Sequence, residues 1–353
     1  MKTKYILLFT GILILALFLS GCATGMTPSS WPGIGVDKES AYISNANHVY
    51  AVQLSNGAER WRFPAKTDAK KTFYAAPVLT SDGQLIVGGY DKVVYSLDPS
   101  DGTSNWTFTG STDRIIGSAA SGDGLIYIPS ADYNLYALDL KGKLQWKFTA
   151  GGSLWTQPVV DNSRVYFGSL NHTVYALDAK TGKLAWSTKL DGAILGSLTL
   201  GTDGSLYAGT QGNTVYALDS ATGKVKWQQA LKSWIWSGPV QSDGLVFAGD
   251  QSGEFTALDS TTGKVTWTLQ PDGPVLGSAM IFPDGIVFGT ESGSLLAVDN
   301  TGQTLWKQAI NGKLYGTPVL AGAAILVAPA EGSALLVALD QKGIQQWVYT
   351  PAK

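Results

Sequence analysis

Short strand-like runs of mostly apolar residues, separated by polar turn residues, return in the same order about every forty residues. The clearest copy has such runs at 157–160, 164–169, 173–178 and 183–188, with turn residues between them. Val, Tyr, Phe and Leu dominate these runs, as is typical of strands. The pattern predicts a chain of repeated units, each made of four short strands.

Every unit ends in a tryptophan that follows a turn containing glycine and, in seven of the eight units, aspartate. The segment at 174–186, VYALDAKTGKLAW, is the clearest of eight copies. The tryptophans that end the copies, called the ladder tryptophans below, are Trp61, Trp106, Trp146, Trp186, Trp227, Trp267, Trp306 and Trp347. Their spacings are 45, 40, 40, 41, 40, 39 and 41 residues. This period predicts an all-β fold, an eight-bladed β-propeller of four-stranded antiparallel blades.

The aspartate of this turn recurs in seven units, and Gln53 replaces it in the first. The seven are Asp98, Asp139, Asp178, Asp219, Asp259, Asp299 and Asp340. A carboxylate here can accept hydrogen bonds from backbone N–H groups of the turn, while glycine supplies the left-handed residue. We therefore assign these aspartates to turn structure and not to a metal or acid–base site.

The ladder tryptophans are predicted to cover the neighbouring blade and to donate their indole N–H groups there. Replacing a fully buried one with alanine would cost about 3–5 kcal/mol. The first unit, 33–61, and the last, 316–347, each contain the four strand-like runs in the same order as the other units. The sequence thus leaves open whether a terminal strand crosses over to close the ring.

The loops between blades vary, and variable loops on a rigid scaffold commonly carry binding sites. Each loop enters the next blade through an apolar pair: Phe73-Tyr74, Ile115-Ile116, Leu154-Trp155, Ile194-Leu195, Ile235-Trp236, Val275-Leu276 and Leu314-Tyr315. Our candidates for partner binding are Trp155, Trp234, Trp236, Tyr74 and Tyr315. They would form an aromatic-rimmed funnel. The alternative is that one member of each pair only fills the seam between blades.

The N-terminus is expected to be a lipoprotein signal peptide, residues 1–21. Lys2 and Lys4 precede an apolar segment at 6–19, and Leu19-Ser20-Gly21-Cys22 resembles a bacterial lipobox. Cys22, the single cysteine of the chain, would carry the lipid. Residues 22–30 would be the lipidated cysteine and a flexible tether, and 31–353 a single propeller domain. The eight residues between Cys22 and Trp31 reach about 26–29 Å when extended.

Composition argues against several classes of function. The 353-residue chain has a formal net charge of −2 and no basic block, which disfavours nucleic acid as a partner. Two histidines, His48 and His172, stand in different units and are too few for a zinc site. No nucleophile elbow, phosphate-binding glycine pattern or EF-hand-like run occurs. We predict no catalytic residue, no metal and no cofactor.

The pattern A-x-D-x-x-T-G-K-x-x-W, best kept at 176–186, 217–227 and 257–267, resembles the repeat of the quinoprotein (PQQ-type) propellers. The resemblance covers nearly all of residues 31–350 and implies one of two functions. The first is that of the propeller lipoproteins of outer-membrane barrel assembly, which the chain resembles most because of its eight blades behind a lipobox. The second is quinone-dependent dehydrogenation or the sensing of a quinone or other small ligand.

The first function is favoured because this chain differs from the quinoprotein dehydrogenases. Many of those enzymes are longer, hold a calcium beside the quinone, and in several cases carry adjacent cysteines, whereas this chain has a single cysteine. It implies a non-catalytic scaffold, a monomer within a complex of envelope proteins, held to the membrane by an N-terminal lipid. In a cell with two membranes it would lie on the outer membrane facing the periplasm. In a cell with one membrane it would lie at the cell surface.

Overall fold

Each predicted unit forms one four-stranded antiparallel sheet, and the eight sheets form a ring. The computed structural model describes residues 31–161 and 163–352. The first strand of each sheet is innermost, so that β1 of blade one contacts both β5 of blade two and β29 of blade eight. The predicted eight-bladed β-propeller is confirmed. In the part of the chain that the structure describes, no helix has the length and apolar character needed to cross a membrane.

The first four blades contain sixteen strands in chain order. Blade one has β1 (Gly33–Val36), β2 (Ser40–Asn45), β3 (His48–Gln53) and β4 (Glu59–Phe63). Blade two has β5 (Val78–Leu79), β6 (Leu85–Gly88), β7 (Val94–Leu97) and β8 (Ser104–Phe108). Blade three has β9 (Ala120–Gly122), β10 (Leu125–Pro129), β11 (Asn134–Asp139) and β12 (Leu144–Thr149). Blade four has β13 (Val159–Val160), β14 (Arg164–Gly168), β15 (Thr173–Asp178) and β16 (Leu184–Lys189).

The other four blades repeat this order. Blade five has β17 (Thr199–Leu200), β18 (Ser205–Gly209), β19 (Thr214–Asp219) and β20 (Val225–Ala230). Blade six has β21 (Val240–Ser242), β22 (Leu245–Gly249), β23 (Phe255–Asp259) and β24 (Val265–Leu269). Blade seven has β25 (Met280–Phe282), β26 (Gly285–Gly289), β27 (Ser294–Val298) and β28 (Thr304–Ala309). Blade eight has β29 (Val319–Ala321), β30 (Ala324–Val327), β31 (Leu336–Asp340) and β32 (Gln345–Tyr349).

The strands of blade four differ from the prediction at their ends. The first strand begins at Val159, two residues later than expected, because Pro158 has no N–H for the ladder. The last strand begins at Leu184, and its register shifts by one residue beside Ala176 and Leu177. A shift at the same position occurs between the third and fourth strands of every blade, because the fourth strand carries one extra residue there, Ala185 in blade four.

The hydrophobic core lies in the seams between blades. Side chains of the second and third strands are almost fully buried, and each cluster joins two adjacent blades. Between blades four and five, for example, Tyr166 and Val174 pack with Leu206 and Tyr216. The outermost strands alternate between exposed and half-buried residues, because one of their faces meets solvent. The seams are therefore what holds the ring together.

Each ladder tryptophan joins its blade to the next through two contacts. The Trp146 indole N–H donates to the Ala179 carbonyl at 3.1 Å, and the same bond recurs at all eight seams over 2.8–3.1 Å. The indole face also lies against the glycine of that turn, and a Cβ on Gly182 would come within 2.6 Å of the Trp146 ring. Trp61 and Trp227 are buried, and the other six are only partly buried.

The aspartates of these turns bind backbone N–H groups. Asp178 accepts hydrogen bonds from the Thr181 N–H at 2.8 Å and the Thr181 hydroxyl at 2.7 Å. These bonds hold the pKa of Asp178 below its usual value. The following glycine is left-handed in each of the eight turns, with a φ of 69° at Gly182. The carboxylates therefore hold the turn in the shape that the indole covers.

The ring closes without a crossover strand, because blade eight consists of four consecutive strands, as does blade one. Side chains close this seam. Trp347 donates to the Leu54 carbonyl at 2.9 Å, and the Tyr349 hydroxyl donates to Glu59. Arg62 binds both carboxylate oxygens of Glu59 at 2.7 Å. The hydrogen bonds from Arg62 are the main cause of a lowered pKa at Glu59.

Substituting Gly182 with alanine should destabilise the propeller more than the same change at Gly244. Both glycines are left-handed, so either substitution costs about 1 kcal/mol in backbone strain. Only Gly182 faces an indole, whereas nothing lies within 4 Å of a Cβ on Gly244. Overpacking against Trp146 should add about 1–3 kcal/mol. Denaturant unfolding measures both variants, and equal losses would show that the contact contributes nothing.

Substituting Glu59 with glutamine should weaken the closing seam in a pH-dependent way. At neutral pH we expect a loss of about 1–3 kcal/mol in the free energy of unfolding. The folded-state pKa of Glu59 is lowered, so its contribution is present above the unfolded value of 4.5. That contribution disappears as the pH falls through the folded-state pKa. The two proteins should converge in acid.

Glu39→Gln is the matched control for that measurement. Glu39 has a 78% exposed side chain and lies 3.4 Å from Arg60. An exposed pair of this kind contributes about 0–1 kcal/mol. A loss as large for Glu39→Gln as for Glu59→Gln would contradict a specific role of Glu59 in closing the ring.

Candidate functional site

The two members of each apolar pair occupy different places in the interblade loops. The first members fill the seams and are 0–2% exposed; they are Phe73, Ile115, Leu154, Ile194, Ile235, Val275 and Leu314. The second members are half-buried. Gly117 and Gly196 follow their pairs where the chain is crowded, since a Cβ on Gly196 would meet Ser237 at 2.2 Å. The second members therefore surround the axis of the ring.

Strand register shows that blade one contributes an eighth member to this set. Trp155 stands four residues before Val159, which pairs with Tyr166. Trp31 stands four residues before Gly35, which pairs with Tyr42 at the equivalent position. We call the eight equivalent residues the mouth ring: Trp31, Tyr74, Ile116, Trp155, Leu195, Trp236, Leu276 and Tyr315. Five of its members are aromatic, so this end of the propeller has an aromatic surface around its centre.

Trp31 extends across the mouth ring to reach two other blades. Its ring centroid lies 5.2 Å from that of Tyr315 in blade eight, stacked at 26°. It also lies 5.2 Å from the centroid of Trp236 in blade six, tilted at 59°. Blade seven separates those two blades, so the Trp31 indole leans inward over the mouth. It nevertheless remains 39% exposed.

The indole N–H groups of Trp155 and Trp236 are both buried. Among residues 31–161 and 163–352, neither group has a hydrogen-bond partner, and the same is true of the Ser237 hydroxyl. A buried donor without a partner costs about 1–3 kcal/mol. Two members of the mouth ring, and Ser237 next to one of them, thus carry donors that the rest of the described protein does not satisfy.

Trp234 and Tyr74 lie away from the Trp31 contact. Trp234 is 51% exposed and is held by its backbone, since its carbonyl accepts from the Gln251 N–H at 2.9 Å. Tyr74 packs on Tyr90 with ring centroids 4.2 Å apart, and the Arg114 guanidinium lies 5.4 Å from the Tyr90 ring centroid. Burial raises the pKa of both tyrosines. The predicted funnel residues therefore fall into separate groups around the rim.

Charged groups near Tyr315 form a local network. Glu291 accepts a hydrogen bond from the Tyr315 hydroxyl at 2.9 Å, and Lys313 lies 3.7 Å from Glu291 and 3.2 Å from Glu331. Partial burial, and then the bond to Glu291, raise the pKa of Tyr315. The hydrogen bond to Glu331 is the main cause of a raised pKa at Lys313. Tyr315 is thus held from behind while its ring faces Trp31.

The donor set around the mouth does not suit a calcium ion beside a quinone. Calcium takes six to eight oxygen ligands, several of them carboxylates. Within the described ranges, no group of three or more acids, histidines or cysteines could hold a metal ion. Asp191 instead binds the Thr210 and Thr214 hydroxyls, each at 2.6 Å. Glu291 and Glu331 are paired with Lys313.

The two histidines also lie apart. The His48 ring lies 2.8 Å from the Pro64 carbonyl through Nδ1 and 3.1 Å from the Thr67 hydroxyl through Nε2. Burial lowers its pKa. His172 occupies a left-handed position in blade four, with a φ of 71°.

Below the mouth ring, the innermost strands of blades two to five line a cavity of ≈ 370 Å³. Its wall combines apolar residues, such as Val78, Ala120 and Val160, with polar residues, such as Ser121 and Gln157. Gln157 and Ser197 of this lining follow Trp155 and Leu195 closely in the chain, so the cavity begins near the mouth ring.

Sequence reasoning missed Trp31 and Tyr90 as members of the site. Trp31 precedes the first unit and has no seam-filling apolar partner before it. Its position four residues before Gly35 was the available signal, but recognising it required the strand register. Cys22, the signal peptide at 1–21 and the tether at 22–30 lie outside the described residues.

Known proteins share the repeat and the fold of this chain. The family model described as "Outer membrane protein assembly factor BamB" matches residues 23–153, 131–203, 171–299 and 275–352. The solved structure of BamB from Moraxella catarrhalis has a TM-score of 0.73 at 18% identity. It covers 86% of this chain and 92% of that one, and shows the shared fold.

Curated relatives fall into more than one functional class. BamB of Nitrosomonas eutropha is 26% identical over 182 residues, 50% of this chain and 43% of its own length. The quinohemoprotein alcohol dehydrogenase of Comamonas testosteroni is 25% identical over 170 residues, 48% of this chain. That match spans 20% of the dehydrogenase. The chain thus spans less than half the length of these relatives.

Eight blades with this turn and tryptophan ladder define a propeller of the PQQ-type repeat class. Since the family model matches segments that together run from residue 23 to residue 352, the chain belongs to the BamB family of that class.

Replacing Trp234 with alanine should leave the stability of the propeller almost unchanged. The side chain is 51% exposed, and surface substitutions usually change stability by less than about 0.5 kcal/mol. Thermal unfolding is the measurement, with Ile235→Ala as the control. Ile235 is 0% exposed and fills the adjacent seam, so its truncation should cost about 2–5 kcal/mol. A large loss for Trp234→Ala would assign that residue to the scaffold.

Proposed function

We propose that this protein is a non-catalytic, lipid-anchored scaffold that binds protein partners outside the cytoplasmic membrane. The observation that carries the proposal is the aromatic mouth ring, with exposed Trp234 beside it, on the face with varied loops. Aromatic residues are enriched in protein interfaces because they provide large contact areas at a small entropic cost. The opposite face consists of repeated turns. Binding is therefore assigned to the mouth-ring face.

Membership of the BamB family supports a role in assembling outer-membrane barrel proteins, if the cell has an outer membrane. A lipid on Cys22 would hold the propeller near the membrane through the tether at 22–30. The protein would then face the periplasm on the outer membrane, or lie at the cell surface of an organism with one membrane. It would act as a monomer within a complex.

The second candidate is a quinone-dependent dehydrogenase, which the resemblance to the Comamonas testosteroni enzyme favours. Against it, the acids nearest the mouth are engaged by Lys313 or by threonine hydroxyls. The scaffold proposal therefore gives a role to more of the mouth-ring residues than the dehydrogenase proposal does.

Photocrosslinking in cells tests the scaffold. A photoreactive amino acid replaces Lys232, an exposed residue on the loop that carries Trp234, and in a second variant replaces Lys183 on the turn face. We expect a protein adduct from position 232 and several-fold less from 183. Identification of a barrel-assembly protein by mass spectrometry would support the finer role. Equal yields from both faces would contradict the assigned surface.

Quinone binding distinguishes the second candidate. Purified protein incubated with pyrroloquinoline quinone and calcium should retain no quinone absorbance after gel filtration and should oxidise no alcohol in a dye-linked assay. Retained quinone with turnover would favour the dehydrogenase.

A further inference from the structure

The contact between Trp31, Trp236 and Tyr315 has the geometry of an occupied binding slot. Tyr315 offers a ring face at a stacking angle of 26°, and Trp236 closes the other side at 59°. Both centroid distances, 5.2 Å, fall in the favourable range for aromatic pairs. The slot therefore fits one planar aromatic side chain.

The occupant of the slot is weakly held compared with the slot itself. Trp31 lies two residues before β1 begins, and its side chain is 39% exposed. Tyr315 is supported from behind by Glu291, and Trp236 follows the fully buried Ile235. Two aromatic pairs favour the inserted Trp31 by roughly tenfold to a hundredfold. A competing ligand of moderate affinity could thus displace it.

Unsatisfied polar groups indicate which kind of ligand would compete. The Trp236 indole N–H and the adjacent Ser237 hydroxyl are buried, and the described residues give them no hydrogen-bond partner. Ser237 is only 6% exposed. A ligand that brings carbonyl oxygens beside an aromatic ring would fill the slot and supply acceptors to these donors. A polypeptide segment with an aromatic side chain has this chemistry.

We propose that the mouth ring contains a slot for an aromatic side chain of a polypeptide partner, and that the chain's own Trp31 fills this slot until the partner displaces it. This inference deepens the proposed function and rests on it. Trp31 would compete with the partner at the mouth, so that removing its ring should increase binding there.

The test uses the full chain and the probe N-acetyl-5-fluorotryptophanamide, followed by fluorine NMR line broadening. Trp31→Ala should bind the probe saturably, at least tenfold more tightly than the unaltered protein. Trp31→Ala combined with Tyr315→Ala should lose this gain, because one wall of the slot is gone. Tyr133→Ala is the matched control, since it removes an aromatic ring that is 49% exposed and lies outside the mouth ring. It should behave as the unaltered protein does.

Trp31→Ala should change the melting temperature by no more than about 4 °C, in keeping with a partly exposed side chain. If this variant proves insoluble, Trp31→Leu serves instead, because it keeps an apolar side chain and removes the ring. Binding by Trp31→Ala no tighter than that by Tyr133→Ala would overturn the proposal. Binding that survives the Tyr315 substitution would also overturn it.

The outcome is separable from that of the proposed function. If Trp31→Ala binds the probe but no protein is crosslinked in cells, the slot is supported and the scaffold function is rejected. If a partner is crosslinked but Trp31→Ala gains no probe binding, the scaffold function is supported and the slot is rejected.

Discussion

The contact between an indole and a glycine at each seam is the constraint on which the ring depends. The indole can lie flat on the next blade only because the turn there has no side chain at that position. In seven of the eight turns an aspartate accepts hydrogen bonds from the backbone before the left-handed glycine, and the indole N–H donates to a backbone carbonyl of the same turn. Eight copies of one local arrangement thus fix how far each blade rotates from the last. The number of blades follows from the number of copies.

Much of this scaffold could be predicted from the sequence, because its interactions are local. The Asp, Gly and Trp of one turn lie within nine residues of each other at 178–186, so their spacing alone indicates the hairpin. Strand ends were less predictable. Pro158 shortens the first strand of blade four, and the bulge beside Ala176 moves the start of the last one. These details depend on hydrogen bonds between strands.

The candidate site was only partly predictable, because it joins residues that are far apart in the chain. The sequence indicated Trp155, Trp236 and Tyr315 as members of similar pairs. It could not indicate which member of a pair fills the seam, since both are apolar. It also could not show that Trp31 reaches Tyr315, 284 positions later, because that proximity exists only after the ring has closed. The site is thus formed by the strand register and by closure of the propeller ring, neither of which the composition shows.

Closure without a crossover strand has a consequence for the order of folding. Seven of the eight indole bonds join residues 33–38 positions apart, whereas Trp347 and Leu54 are 293 apart. Loop-closure entropy grows with the logarithm of separation, so the last bond costs about 2 kcal/mol more to form than the others. The blades can therefore assemble one after another along the chain. The seam between blades eight and one is expected to form last and to open first.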